Sequence, residues 1–321
     1  MQRTTTRWAA RAGTALALTL AVPAAAQAAT AAPGVSTGGA ANVAQQTARL
    51  TGAVDPNGLA TKYQFQYGTT SAYGTATAEV AVSGDGRKTV TADVSGLAPA
   101  TKYHYRLIGR NDKGLTKGAD RTFTTQKQPL GVTFAATPNP QPFGGTTTLG
   151  GTLTGTDNSG RDVVLQSNPF PYTQGFKTVG NKLVTDAQGN FSFGLFQIPL
   201  NTQYRVALPD KPSVVSPIVV VSVQVSVSTR VATTRVKKGH KLTFAGAIRP
   251  AVDGTPMAIQ KKNGDHWVTV VGFAARHNSS ASSIYSKKVT IRRGGTYRIY
   301  AGVTNGSFVP NTGREIKVST R

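Results

Sequence analysis

The 321-residue chain contains no cysteine and only two glutamates, Glu79 and Glu315. The missing cysteine excludes a disulfide scaffold, a thiolate metal site and a cysteine nucleophile. Leucine is scarce too, with 17 residues against 44 threonines. Leu and Glu are strong helix formers and Thr favours strands, so this balance excludes a helical bundle and argues against an α/β enzyme. Carboxylates number 13 against 36 lysines and arginines, for a net charge of +23. What the chain does have is 35 glycines and 17 prolines, the punctuation of turn-rich β-structure. Its hydrophobic content of 39% is low, but it suffices for small β cores and argues against wholesale disorder. At ~100–150 residues per domain, the length allows two or three domains.

Residues 1–28 have the form of a secretory signal peptide. Arg3, Arg7 and Arg11 precede the apolar run Thr14–Val22, and Ala26-Gln27-Ala28 is a small-x-small cleavage site. The apolar run is about half the ~20 residues that a membrane-spanning helix needs. No later segment reads as a span. The terminal EIKVSTR carries no hydrophobic tail and no sorting motif. The expected location is therefore extracellular, either released or associated non-covalently with the cell wall.

Polar, proline-containing Thr125–Leu130 and the Val/Ser alternation near Val221–Val225 divide the rest into blocks of 29–125, 126–222 and 223–321. Each is the size of an immunoglobulin-like sandwich and contains short alternating segments separated by turn residues. The expected fold class is all-β, with three tandem Ig-like or fibronectin type III β-sandwich domains after the signal peptide. In the first block Ala48, Leu50, Gly52 and Val54 alternate, the turn Asp55-Pro56-Asn57-Gly58 follows, and Tyr63, Phe65 and Tyr67 alternate next, with Gln64 and Gln66 on the other face. Leu97, Pro99, Thr101 and Tyr103 then lead into Tyr105 and Leu107, and Arg121–Thr125 closes the block.

The spacing of Leu97, Pro99, Thr101 and Tyr103 resembles the tyrosine-corner signature of a fibronectin type III domain. The segment PNGLATKYQFQYGTTSAYG and the closing RTFTT resemble a version found in secreted and surface proteins of high-GC Gram-positive bacteria. The resemblance covers about residues 35–125. It implies that the Tyr103 hydroxyl bonds back to the backbone near Leu97 and Pro99, a structural role.

The other two blocks repeat each other. Thr148–Leu153 matches Thr243–Ile248, Val164-Leu165-Gln166 matches Ala258-Ile259-Gln260, and Gln203–Val206 matches Thr296–Ile299, at offsets of about 95 residues. Both resemble the bacterial Ig-like domains that serve as spacers or adhesive modules. Ser216–Arg230 alternates valine with mostly polar residues and reads as the last strand of one domain running directly into the first strand of the next. A junction that short implies a stiff array.

The sequence offers little to an enzyme. The four histidines, His104, His240, His266 and His277, lack metal-ligand spacing, and there is no G-x-S-x-G elbow. The two glutamates lie in different blocks, and most of the aspartates flank Gly, Asn or Pro and so read as turn residues. Asp157–Asp162 resembles a Ca²⁺ loop only weakly, with Arg161 where an oxygen ligand would help. The expectation is a non-enzymatic protein with no cofactor and no metal.

Charge is the strongest functional signal. Residues 226–321 hold 17 basic and 3 acidic residues, a net +14, whereas the two preceding blocks carry +4 and +2. Arg235, Lys237, Lys238 and Lys241 surround a glycine turn, and Lys288, Arg292 and Arg293 follow later. A row of cations on one sheet face suits a linear polyanion. The expected partner is an anionic cell-envelope polymer or polysaccharide, with other surface proteins as further candidates. No recognition helix or repeated aromatic motif supports sequence-specific nucleic-acid binding. The alternative is a carbohydrate-binding accessory protein in which Phe170, Tyr172 and Phe176 stack on sugar rings. Trp267, flanked by opposite-facing Val268 and Val270, is expected to pack in the core.

Overall fold

The computed structural model describes Met1, Gln2 and residues 31–321, and the expected signal peptide lies almost wholly outside the described residues. No helix occurs among the described residues, and none there is long and apolar enough to cross a membrane. The fold is all-β, built of tandem sandwiches, and the chain divides into two compact units, 1–126 and 127–321.

The first unit packs a three-stranded sheet of Gly34–Thr37, Ala48–Asp55 and Lys88–Val94 against a second sheet centred on Thr61–Gly68 and Lys102–Asn111. The period-2 alternation of these strands aims Leu50, Val54, Tyr63, Phe65, Tyr105 and Leu107 into one core. Gly52 lies where a Cβ would sit 2.6 Å from the Leu107 side chain, so no larger residue fits at this close approach of the two sheets. The Tyr103 hydroxyl accepts a hydrogen bond from Ala98 N–H at 2.8 Å. Leu97 beneath it is buried, and the Thr101 hydroxyl donates to the Pro99 carbonyl.

The second unit holds two cores. The middle one lies between a sheet of Gly131–Thr137, Thr146–Thr154 and Asn190–Phe196 and a sheet built on Asp162–Pro169 and Thr202–Leu208. The last core lies between the sheet Ser226–Arg230, Lys241–Arg249, Ser282–Thr290 and Arg276–Ser279 and a sheet built on Pro256–Asn263 and Gly295–Ala301. The internal repeat appears in the packing. Leu149 and Leu153 occupy the middle core as Phe244 and Ile248 occupy the last. Gly151 and Gly246 serve alike: a Cβ at either would collide with the carbonyl of the neighbouring strand, at Thr133 and Ser228 respectively.

Val221 and Val223 belong to the middle core and Val225 to the last, so the chain passes from one core to the other within three residues. The joint is tied elsewhere as well. Phe308 packs against both cores and meets Phe143 edge to face at 6.3 Å. Asn201 donates from its backbone to the Ser307 carbonyl and from its side chain to the Gly306 carbonyl, both at 2.8 Å, while its side-chain oxygen accepts from Val223 N–H at 2.7 Å.

In the last core the Tyr285 hydroxyl donates to the Ser228 carbonyl at 2.7 Å and lies 2.7 Å from Thr229 Oγ1. Burial pushes this phenol up to about 12 from 10.0. A raised acid pKa means that the neutral form is favoured in the fold. Its contribution is therefore whole below the unfolded value near 10 and is lost as pH rises towards about 12. Urea unfolding of the full chain at stepped alkaline pH should show this loss, and Tyr285→Phe should reduce it without abolishing it, because Tyr105, Tyr204 and Tyr297 are also pushed up by burial, while costing about 1 kcal/mol at neutral pH from the lost hydrogen bonds.

Candidate functional site

Strand ends place the cations of the last sandwich. Lys237, Lys238 and His240 form a turn, with Gly239 N–H donating to the Ile291 carbonyl and Ile291 N–H to the His240 carbonyl at 2.8 and 2.9 Å. This ladder sets Lys237 and Lys238 beside the loop of Arg292 and Arg293. Arg235 joins from the short strand Arg235–Val236, which pairs with Ile316–Thr320. Lys241 and Lys288 stand on the outer face of the sheet, where Lys241 lies opposite Thr290 and Thr243 opposite Lys288. All seven are exposed. They gather at the end of the sandwich away from the joint, because Ser226 at the joint lies opposite Arg249, at the other end of the Lys241 strand.

The surroundings do little to neutralise them. Five carboxylates of the first two sandwiches pair with lysine or arginine: Asp93 with Arg49, Glu79 with Lys62 and Arg110, Asp157 with Lys127, Asp162 with Lys182 and Asp210 with Arg161. Among the described residues, no Lys or Arg of 226–321 forms an ion pair. Asp253 takes His277 Nδ1 at 2.7 Å and the Ser283 hydroxyl, and those two hydrogen bonds hold its carboxyl below the usual range. The carboxylate stands between serine and histidine, so the imidazole cannot act as the serine's base. The weak Ca²⁺-loop candidate is also taken up by cations, since Asp157 and Asp162 carry lysine partners.

One contact, absent from the sequence reading, recurs in all three sandwiches. On the outer face of one sheet a glutamine oxygen accepts from an arginine Nε, and that arginine lies over an aromatic ring. The sets are Gln66, Arg106 and Tyr73 at 2.9 and 4.4 Å, Gln166, Arg205 and Phe176 at 2.8 and 4.3 Å, and Gln260, Arg298 and Trp267 at 2.8 and 4.1 Å. In each set the glutamine and arginine are direct cross-strand partners.

This contact corrects the expectation for Trp267. A bulge at Val270 breaks the simple alternation, so that Val271 and Phe273 pack against the core. Trp267 turns outward under Arg298, and Val268 and Val270 are exposed. The three aromatics of the alternative reading also have partners within the protein. Phe170 packs against Gly306 at the joint and meets Tyr172 edge to face at 5.5 Å and 85°, while Phe176 carries Arg205 over its ring.

No family model matches the chain, and no curated protein matches it. Among solved structures, the FN1–FN3 domains of chicken CNTN1 align with 90% of this chain and 99% of their own at 16% identity and a TM-score of 0.30. A tetra-tandem repeat from the extending region of a large adhesion protein aligns with 91% of this chain and 75% of its own at 13% identity and a TM-score of 0.31. An alpha-2-macroglobulin from Escherichia coli aligns over 24% of its length at 11% identity and a TM-score of 0.25.

The arginine clamp makes its own prediction. Arg298→Lys keeps the charge but loses the planar face and the Nε donor, and should destabilise the second unit by about 1–2 kcal/mol in urea unfolding. Arg298→Gln should do no less, and an unchanged midpoint for both would mean that the clamp is ornamental.

Proposed function

We propose that this is an extracellular, non-enzymatic spacer or adhesion protein whose last sandwich holds it to an anionic cell-envelope polymer. The observation that supports this is the gathering of Arg235, Lys237, Lys238, Lys241, Lys288, Arg292 and Arg293 on one end and face of that sandwich without carboxylate partners. Cations left facing solvent raise the local concentration of a polyanion, and contacts with several of its charges release counterions. The two preceding sandwiches carry far less net charge, +4 and +2 against +14, and so have less to offer a polyanion. The aromatic-loop alternative has less support, because Phe170 and Phe176 spend their faces on Gly306 and Arg205.

The test uses the full chain, because Phe308 ties the last sandwich to the middle one. Binding to purified cell envelope should weaken steeply as NaCl rises, with log K linear in log salt. Lys237→Ser with Lys238→Ser and Arg292→Ser should shift the curve at least tenfold at low salt and lower its slope by roughly two. Binding that ignores salt, or that the triple variant retains in full, would contradict the proposal.

A further inference from the structure

The charge of the last sandwich is not confined to the end where the sequence marks it. On the outer face of its four-stranded sheet the central strand Lys241–Arg249 points Lys241, Thr243, Ala245, Ala247 and Arg249 outward, since Leu242, Phe244 and Ile248 are buried. Register fixes what stands beside them. Arg230 lies opposite Ala245 on one side, and Lys288 opposite Thr243 on the other. Ser228, Ala247, Ile284 and Arg276 form a continuous row across all four strands. Arg230, Arg249 and Arg276 are exposed, and none of them has an ion-pair partner among the described residues. Asp253, which bonds to Ser283 of this sheet, is also engaged by His277.

Between the cations the floor is low. Ser228, Ala247 and the backbone of Gly246 line a shallow trough of about 310 Å³ beside Arg230 and Ile284. Small side chains there let a thin polymer approach the sheet while longer basic side chains reach it from both sides. From Lys241 to Arg249 the strand spans about 27 Å, at ~3.4 Å per residue. The outward positions of the central strand and its neighbours include no aromatic ring, so nothing there stacks on a base or a sugar. Arginine's planar fork matches phosphate oxygens bidentately.

We infer that this face, continuous with the basic end, is a polymer-length site that takes an extended phosphate-linked chain along the Lys241–Arg249 strand, held by Arg230, Arg249 and Arg276 as well as by Lys241 and Lys288. The inference rests on the polyanion reading above and adds a ligand chemistry, a direction and a minimum length. A chain shorter than the strip meets only part of the cation row, and a chain as long as the strip meets all of it.

The experiment measures binding of inorganic polyphosphate to the full chain by fluorescence anisotropy, with fractions shorter and longer than 27 Å at one total phosphate concentration. It compares the unaltered protein, the face variant Arg230→Gln/Arg249→Gln/Arg276→Gln and the end variant Lys237→Ser/Lys238→Ser, each with its thermal midpoint checked. Long chains should bind at least tenfold more tightly than short ones. The face variant should abolish that advantage and lower the log K against log salt slope by roughly two, at ~0.7 per lost contact. Length-independent binding that only the end variant removes would overturn the face site and leave the basic end standing. Tighter binding of a single-stranded DNA of equal length than of polyphosphate would require contacts to the bases and would overturn recognition through the phosphates alone. No binding of any fraction would remove the polyanion reading itself.

Discussion

Repulsion is the constraint under which the last sandwich is built. Seventeen lysines and arginines share residues 226–321 with three carboxylates, and like charges crowded onto one small domain oppose its compact state. The protein meets this partly with neutral partners. Arg298 is held by the Gln260 oxygen and the face of Trp267, and Lys261 donates to the Arg293 carbonyl while its ammonium lies 5.6 Å from the Tyr297 ring centre. The remaining cations stand at strand ends and on an outer face, where water solvates them. An arrangement that tolerates this many unmatched charges is one that an incoming polyanion would relieve.

The middle sandwich contributes position more than chemistry. Phe308 is shared between two cores and Asn201 bonds to the loop that carries it, so the basic sandwich is braced by its neighbour at the end away from Lys237 and Arg292. The contacts are a mixture of apolar packing and satisfied backbone groups, which resists both bending and sliding. The Gln–Arg–aromatic clamp acts within each sandwich, pinning an edge aromatic over the two central strands of one sheet.

Much of the fold was legible in the sequence because it depends on period-2 alternation and on a repeat. Tyr63 and Phe65 alternate on one face of a strand in the sequence, and the structure buries both; the repeat matches Thr148–Leu153 to Thr243–Ile248, and the structure buries Leu149, Leu153, Phe244 and Ile248 at the matched places. The clamp was only half visible. Gln166 and Gln260, with Arg205 and Arg298, fall at matching places in the repeat, but their pairing is a register between strands far apart in sequence. Phe176 and Trp267 come from edge hairpins of unequal length, so no fixed offset ties them to it. Trp267 was misplaced because a single bulged residue, Val270, reverses which side of a strand faces inward. Arg230, Arg249 and Arg276 were unremarkable in a basic sequence, and only strand pairing shows that they share a face with Lys241 and Lys288.

If the cations of the last sandwich engage a polyanion and the rest of the chain does not, hydrogen–deuterium exchange on the full chain at low salt, with and without long-chain polyphosphate, should show added protection over 226–249 and 276–293. That protection should be absent at high salt, with residues 31–126 unchanged. Protection centred on the first sandwich, or on the Phe170–Phe176 loop, would contradict this reading.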